Sequence, residues 1–583
     1  MNIKIPVREY VRLLHRYLRP QWKSMAGLTL LLLAGIVTQL VSPQIIRYFI
    51  DSAEQATPLE ALLGAGALFI VVSLLNQVVV IAATYIGENV GWIATNQLRG
   101  DLAEHCLRLD MSFHKAQTSG SLIERVDGDI NSLANFFSNF MIVLFSNALL
   151  MIGIIVLLFR ENVLIGLSML LFVAFALAAF QYIRKLAAPH WSRTRQISAE
   201  FYGFLGEHLE GTEDTRANGA TGYVMHRFYA MLRRWLPIRL KAFMGWAAMW
   251  NTSLFVFALG NAVAFGISAY LWKQGALTMG TVYMIFFYTE LLAKPIERIR
   301  TQLEDFQKAE ASIRRVQELL HTQPAIPEGR GAPLPDGPLA VEFDRVTFGY
   351  EEGSTNLDGV TFRLEKGKVL GLLGRTGSGK TTLSRLLMRF YDVTGGSIRL
   401  DGVDIRDPYV KELRRRIGLV TQTIEIFEGS VRDNLTFYDD SITDEQIHMV
   451  LRELGLDRWA QSLPDGLETR LESGGGGLSA GEAQLLAFAR VFLSDPGLII
   501  MDEASSRLDP ATEQLIEQAI TKLLAGRTCI IIAHRLGTVQ RADEILILED
   551  GRMIEYGDRA ALAADRGSRF SRMLTAGLEE VLA

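Results

Sequence analysis

Six stretches of apolar sequence, each near or above twenty residues, occupy the first 303 positions of this 583-residue chain, and nothing comparable follows them. They run from Met25 to Ile50, Leu62 to Ile86, Phe136 to Phe159, Val163 to Ile183, Trp246 to Trp272 and Met279 to about Ile299. A bilayer core of ~30 Å needs about 20 helical residues, so each stretch reads as a membrane span. Polar residues inside them, such as Gln39, Asn76, Asn147 and Asn251, are expensive against lipid and should face neighbouring helices or a cavity. The first block is too long for the apolar region of a cleaved signal peptide and lacks a clear small-residue cleavage site.

Charge sets the expected orientation. Lys4, Arg8, Arg12, Arg16, Arg19 and Lys23 precede the first span against a single acid, Glu9, whereas the following loop, Asp51 to Glu60, has three acids and no Lys or Arg. That bias places the N-terminus in the cytoplasm, and an even number of spans returns the C-terminal part there too. The expected location is a cell membrane, inner or plasma, crossed several times. Long connections at 87–135 and 184–245 alternate with links of a few residues, so both long connections should be cytoplasmic and largely helical. The expected organisation is an amphipathic segment over 1–24, a helical membrane domain over 25–303, a linker over 304–338 and an α/β domain over 339–583. Within the linker, Gln302 to His321 reads as a charged helical run and Pro324 to Pro338 is dense in Pro and Gly. The last domain alternates short apolar strands with amphipathic helices.

Chemistry concentrates in that last domain. Gly374-Arg375-Thr376-Gly377-Ser378-Gly379-Lys380-Thr381-Thr382 directly follows the apolar strand Val369 to Leu373 and matches the phosphate-binding pattern GxxxxGK[ST]. Glycines let backbone N–H groups turn toward phosphates, Lys380 reaches the β- and γ-phosphates, and Thr381 offers a hydroxyl to Mg²⁺. A second apolar strand, Leu498 to Met501, ends in Asp502 and Glu503. This is the Walker B arrangement, Asp502 serving the metal and Glu503 the attacking water. ATP and Mg²⁺ are therefore the expected ligands. Cys106 and Cys529 form no metal-spaced cluster or disulfide framework, and a net charge of −5 gives no electrostatic case for nucleic acid as a partner.

Five further elements make the resemblance specific. Leu478-Ser479-Ala480-Gly481-Glu482 resembles the LSGGQ signature of ATP-binding cassette (ABC) proteins, 18 residues before Pro496. Gln422 matches the Q-loop, Ser506 to Asp509 the D-loop, His534 the switch histidine, and Tyr350 the aromatic that stacks on adenine. Six spans with two long loops, fused ahead of one cassette, resemble an ABC half-transporter of the exporter type. The resemblance implies a dimer with two composite sites, each using one chain's P-loop, Asp502, Gln422, Glu503 and His534 and the other chain's Ser479, Gly481 and Asp509. It also implies short coupling helices in the long loops, placed by position near Phe113 to Ile130 and Glu210 to Gly219.

The departures from the family pattern matter. Ala480 replaces the usual first Gly, Glu482 the usual Gln, and the stretch before the signature lacks its usual acidic residue. A carboxylate near the opposite γ-phosphate should weaken binding there, so an intact Walker B beside an altered signature favours a heterodimer over a homodimer. The implied function is ATP-driven export of a hydrophobic or amphipathic drug, lipid or peptide. The alternatives are an ATP-gated channel or regulator, against which the full catalytic set argues, and a homodimeric lipid flippase. Within the last span Glu290 and Lys294 are spaced to pair on one helix face, and Pro295 to kink it.

Overall fold

The computed structural model describes residues 12, 15–139, 144–351, 353–472, 474, 478–502, 510–533 and 539–576, with the backbone alone at 135–139, 299–310, 458, 510–512 and 576. The chain divides into two compact units, one of residues 1–107 and 119–322, the other of residues 108–118 and 323–583.

Long helices build the first unit: α1 (Trp22–Glu54), α2 (Leu59–Arg108), α4 (Asp129–Asn139), α5 (Ser146–Glu161), α6 (Val163–Glu210), α8 (Thr221–Lys273) and α9 (Met279–His321). At 1.5 Å per residue the 53 residues of α8 span about 80 Å, far beyond a ~30 Å bilayer core, so these helices run well past the membrane. Among the described residues α1, with the turn before it, α2, α6 and α8 are long and apolar enough to cross a membrane. The third apolar block is described mainly through the 16 residues of α5, since 140–143 lie outside the described residues. The sixth is the start of α9, which passes through Pro295 and continues unbroken to His321. The composition boundary at 303 thus falls inside a helix, because a charged, helix-forming sequence extends the apolar one without a breaker.

Helix α9 packs against α1, α4, α5 and α8, and α6 against α8. Their shared core includes Ile36, Ile154, Met169, Phe172, Met284 and Tyr288. At the α6–α8 crossing a Cβ on Gly260 would lie 2.4 Å from the Phe172 ring, so only glycine permits this approach. Buried Asp129 at the start of α4 accepts from Ser312 (2.9 Å) and from the Arg315 guanidinium Nε (2.8 Å), both on α9. A short helix, α7 (Thr212–Ala217), lies within the span expected for the second coupling helix.

The second unit is an α/β domain joined by α3 (Met111–Ala116). Asp110 caps α3, accepting from the Ser112 and Phe113 amides at 3.1 and 3.2 Å. This helix begins two residues before the expected first coupling segment. The strands are β1 (Val341–Phe348), β2 (Leu357–Leu364), β3 (Val369–Leu373), β4 (Gly395–Leu400), β5 (Val403–Asp404), β6 (Ile417–Val420), β7 (Leu498–Asp502), β8 (Thr528–Ile532), β9 (Glu544–Glu549) and β10 (Arg552–Asp558). Of three sheets among the described residues, one, ordered β2-β1-β4-β5, is antiparallel, another, β10-β9-β3-β8-β7-β6, is parallel except for β10, and the third pairs two further short strands, Gly429–Ser430 and Arg470–Leu471. Strands β3 and β8 are buried along their whole length, as a parallel sheet covered on both faces requires.

Candidate functional site

Parallel pairing decides where the site forms. Leu372 pairs with Ile532, Ile532 with Asp502, and Val420 with Met501. The ends of β3, β8, β7 and β6 therefore lie side by side, and from them leave the P-loop, the segment bearing His534, Asp502 with Glu503, and the loop bearing Gln422. Ligands of open parallel sheets bind at such carboxyl ends. Glu503, Asp509 and His534 themselves lie outside the described residues.

The P-loop links β3 to α10 (Lys380–Leu387). Gly374, Gly377 and Gly379 have φ of 149°, 83° and 105°, where a Cβ is strained. Arg375, Thr376 and Thr381 are exposed, while Ser378, Lys380 and Thr382 are buried. Lys380 is 6% exposed, and its ammonium donates to the carbonyls of Gly374 (2.5 Å) and Arg375 (3.0 Å). Burial pushes its pKa below the ordinary lysine value, and the Asp502 carboxylate opposes that shift. The Ser378 hydroxyl is buried and has no hydrogen-bond partner among the described residues. An orphaned hydroxyl, a buried cation and a helix N-terminus converging on one glycine turn fit a polyphosphate. Thr381, Gln422 and Asp502 offer a hydroxyl, an amide oxygen and one carboxylate, a hard-oxygen set suited to Mg²⁺ shared with phosphates.

Tyr350 stands two residues past β1. Its hydroxyl donates to Thr382 (3.3 Å) and accepts from Arg385 (3.2 Å), and Phe348 and Tyr391 meet its ring edge to face at 5.0 and 5.1 Å. The Lys115 ammonium of α3 sits 4.2 Å from the ring centroid, a cation–π contact that ties the first coupling segment to the aromatic. Sequence reading missed this pairing, for 235 positions separate the partners and no motif marks Lys115.

Ser479 caps α11 (Ala480–Ser494), with its hydroxyl accepting from the Glu482 amide (3.2 Å) while Glu482 accepts from the Ser479 amide (2.7 Å). Glu482, the third residue of the helix, is thus the partner of Ser479 in a capping box, held by its own helix. The S-x-x-E spacing was visible in the sequence and accounts for the carboxylate locally, which weakens the argument from charge repulsion. Ser479 and Ala480 are exposed at the helix tip, and Gly481 is buried.

Arg490, on the same helix, was not singled out by any motif. It donates to the Asn434 carbonyl (2.6 Å), the Asn434 side chain (3.0 Å) and the Glu425 carbonyl (3.0 Å), joining the signature helix to the loop that follows Gln422. Arg490→Lys should lose this planar three-acceptor fork at about 2 kcal/mol. Calorimetry of the cassette transition should then show a fall of roughly 4–8 °C. An unchanged midpoint would remove Arg490 from that role.

In the membrane unit, Gln39, Asn76 and Asn147 line a cavity of about 490 Å³, whereas Asn251 donates to the Ala247 carbonyl of its own helix (2.9 Å). Glu290 does not pair with Lys294: its carboxylate takes the Asn261 amide from α8, so packing against a neighbouring helix overrides the i,i+4 spacing.

Comparison with known proteins agrees with this geometry. The ABC transporter family matches residues 357–506 and the ABC transporter transmembrane region matches residues 25–296. An uncharacterized ABC transporter ATP-binding protein of Bacillus subtilis, YknV, is 32% identical over 94% of this chain and 92% of its own. A fatty acid ABC transporter ATP-binding/permease protein of Mycobacterium bovis is 32% identical over 81% of this chain and 74% of its own. A multidrug efflux ATP-binding/permease protein of the same species is 31% identical over 97% of this chain but 47% of its own length. The solved structure of a bacterial Atm1-family ABC exporter with ATP bound superposes with a TM-score of 0.78 over 95% of this chain and 98% of that one, at 24% identity, and shares the fold. The chain therefore belongs to the ABC transporter family, as a half-transporter of exporter-type fold that fuses a helical membrane region to an ATP-binding cassette and couples ATP hydrolysis to transport.

Proposed function

We propose that this chain is one half of a dimeric exporter in the cell membrane, with its cassette in the cytoplasm, moving a hydrophobic or amphipathic substrate outward. The carrying observation is the buried Lys380, its ammonium held by carbonyls of a glycine turn whose Ser378 hydroxyl has no hydrogen-bond partner among the described residues. Lys380 and the α10 N-terminus hold the phosphates, and Tyr350 supports the base. Thr381, Gln422 and Asp502 would hold Mg²⁺, which would supply neutralisation of phosphate charge. Glu503 polarises the attacking water, His534 contacts the γ-phosphate, and Ser479, Gly481 and Asp509 serve the partner's site. Exposure of Ser479 at a helix tip supports that last role. A partner half fits a chain of 65.0 kDa that covers about half of the multidrug relative. The fatty acid and multidrug relatives favour an apolar or amphipathic cargo.

A heterodimer remains the favoured assembly on Ala480 and the altered pre-signature stretch, with this chain supplying the hydrolytic P-loop and Glu503. The chain expressed alone should then hydrolyse ATP poorly and gain activity with a second half-transporter. Full activity as a dimer of identical chains would establish a homodimer. For export itself, inside-out vesicles should accumulate an amphipathic probe only with ATP. Glu503→Gln should cut hydrolysis about 10²–10⁴-fold while ATP binding persists. Retained hydrolysis would sink the assignment of Glu503, and hydrolysis without probe movement would sink the export reading.

A further inference from the structure

The membrane unit's cavity combines an apolar floor with a one-sided charge. Its volume of about 490 Å³ lies within the range of small-ligand pockets, ~300–1,000 Å³. Leu31, Leu32 and Ile36 of α1 and Phe69 of α2 line it with apolar side chains, and Gln39 of α1 and Asn76 of α2 add polar ones. From α9 come Phe287, Leu291, Lys294 and Arg298, a stripe at helical spacing whose apolar end leads to two cations. Among the described residues no Asp or Glu lines the cavity. The acid that could have neutralised Lys294, Glu290, is instead engaged by Asn261 and does not face this space. Among the described residues Lys294 has no hydrogen-bond or ion-pair partner. A cation such as Lys294 beside an apolar pocket in a membrane unit is costly unless an anion meets it.

We propose that this cavity takes an anionic amphiphile, its chain against the α1–α2 wall and its carboxylate or phosphate head at Lys294 and Arg298. The proposal rests on the export reading and names the charge class of its cargo. Electrostatic complementarity here sets selectivity, since the apolar wall alone would accept a neutral or cationic chain of equal length.

The test is binding, in the absence of ATP, to the full chain in phosphatidylcholine nanodiscs, with empty nanodiscs subtracted. Three probes share a twelve-carbon chain: dodecanoate, dodecanol and dodecyltrimethylammonium. Dodecanoate should bind tightest, and Lys294→Gln/Arg298→Gln should weaken it about tenfold or more. Lys294→Glu/Arg298→Glu should reverse the order in favour of dodecyltrimethylammonium, a gain that misfolding cannot produce. Equal binding of the three probes, or dodecanoate binding unchanged in both variants, would overturn the proposal. Replacing part of the phosphatidylcholine with phosphatidylglycerol separates two sources of the anion. Displacement of dodecanoate assigns the site to a lipid headgroup and retention to a free amphiphile, and either supports an anionic site. Accumulation of any probe in inside-out vesicles with ATP keeps the export reading whatever the binding order. Charge-selective binding without accumulation overturns export and leaves the site standing.

Discussion

Lys380→Ala is expected to abolish ATP hydrolysis, lowering phosphate release by purified protein roughly 10²–10³-fold or more, as loss of a preorganised charge at a transferring phosphoryl group does. The geometry explains why no neighbour can substitute. The ammonium is 6% exposed, and it is held by two carbonyls of its own loop, Gly374 at 2.5 Å and Arg375 at 3.0 Å. Those neutral acceptors can be exchanged for phosphate oxygens without moving the backbone. Truncation removes a desolvated charge and leaves only two neutral loop carbonyls without their donor, in space that water can then enter, so the cassette should stay folded, with its thermal transition little changed. Activity within threefold of the parent would show that Lys380 does not carry the phosphate chemistry. Joint loss of activity and folding would make its role structural.

Gly374→Ala is expected to damage the cassette itself. A Cβ at this position would lie 2.3 Å from the Leu548 carbonyl oxygen and 2.6 Å from the Ser378 hydroxyl, on a backbone with φ of 149°. The first obstacle is backbone of β9, which pairs with β3 through Leu373 and Ile547, so relief requires separating two central strands. Strain and overpacking of this kind cost about 3 kcal/mol. Calorimetry should show the cassette transition falling by roughly 6–12 °C. Gly377→Ala is the control: its φ of 83° is also unfavourable, but its Cβ would meet no atom within 4 Å. It should lower the transition by no more than about a third as much, at the ~1 kcal/mol of local backbone strain. Equal effects at both glycines would show that φ alone, and not the approach of β9, sets the requirement.

Much of the nucleotide site was legible because its parts are contiguous strings. Gly374 to Thr381 carries both the turn and the cation, and the distance from Ser479 to Asp502 is fixed by one helix and one strand. The membrane half was legible through block length, since lipid imposes helices of about twenty apolar residues. Pairing across elements was not legible. Glu290 and Lys294 have the spacing of a helical pair, yet Glu290 takes Asn261 from another helix. Glu482 is a local case, for its S-x-x-E spacing lies open in the sequence although it reads there as a misplaced charge. Lys115 and Arg490 belong to no string, and their roles depend on a ring and three acceptors that other segments deliver.

Sequence by itself determined the division of labour: apolar blocks that only a bilayer satisfies, then a cassette whose phosphate-binding residues are adjacent along the chain. Local backbone physics is enough for both, because a glycine turn or a twenty-residue apolar helix needs no distant partner to be recognised. Tertiary structure alone decided which charges are neutralised and which remain. Asp129 is met by Arg315 and Glu290 by Asn261, while Lys294 has no partner among the described residues and lines the same cavity as an apolar wall. Those outcomes depend on which helix faces bury against each other, a choice that desolvation cost settles only once the helices are packed.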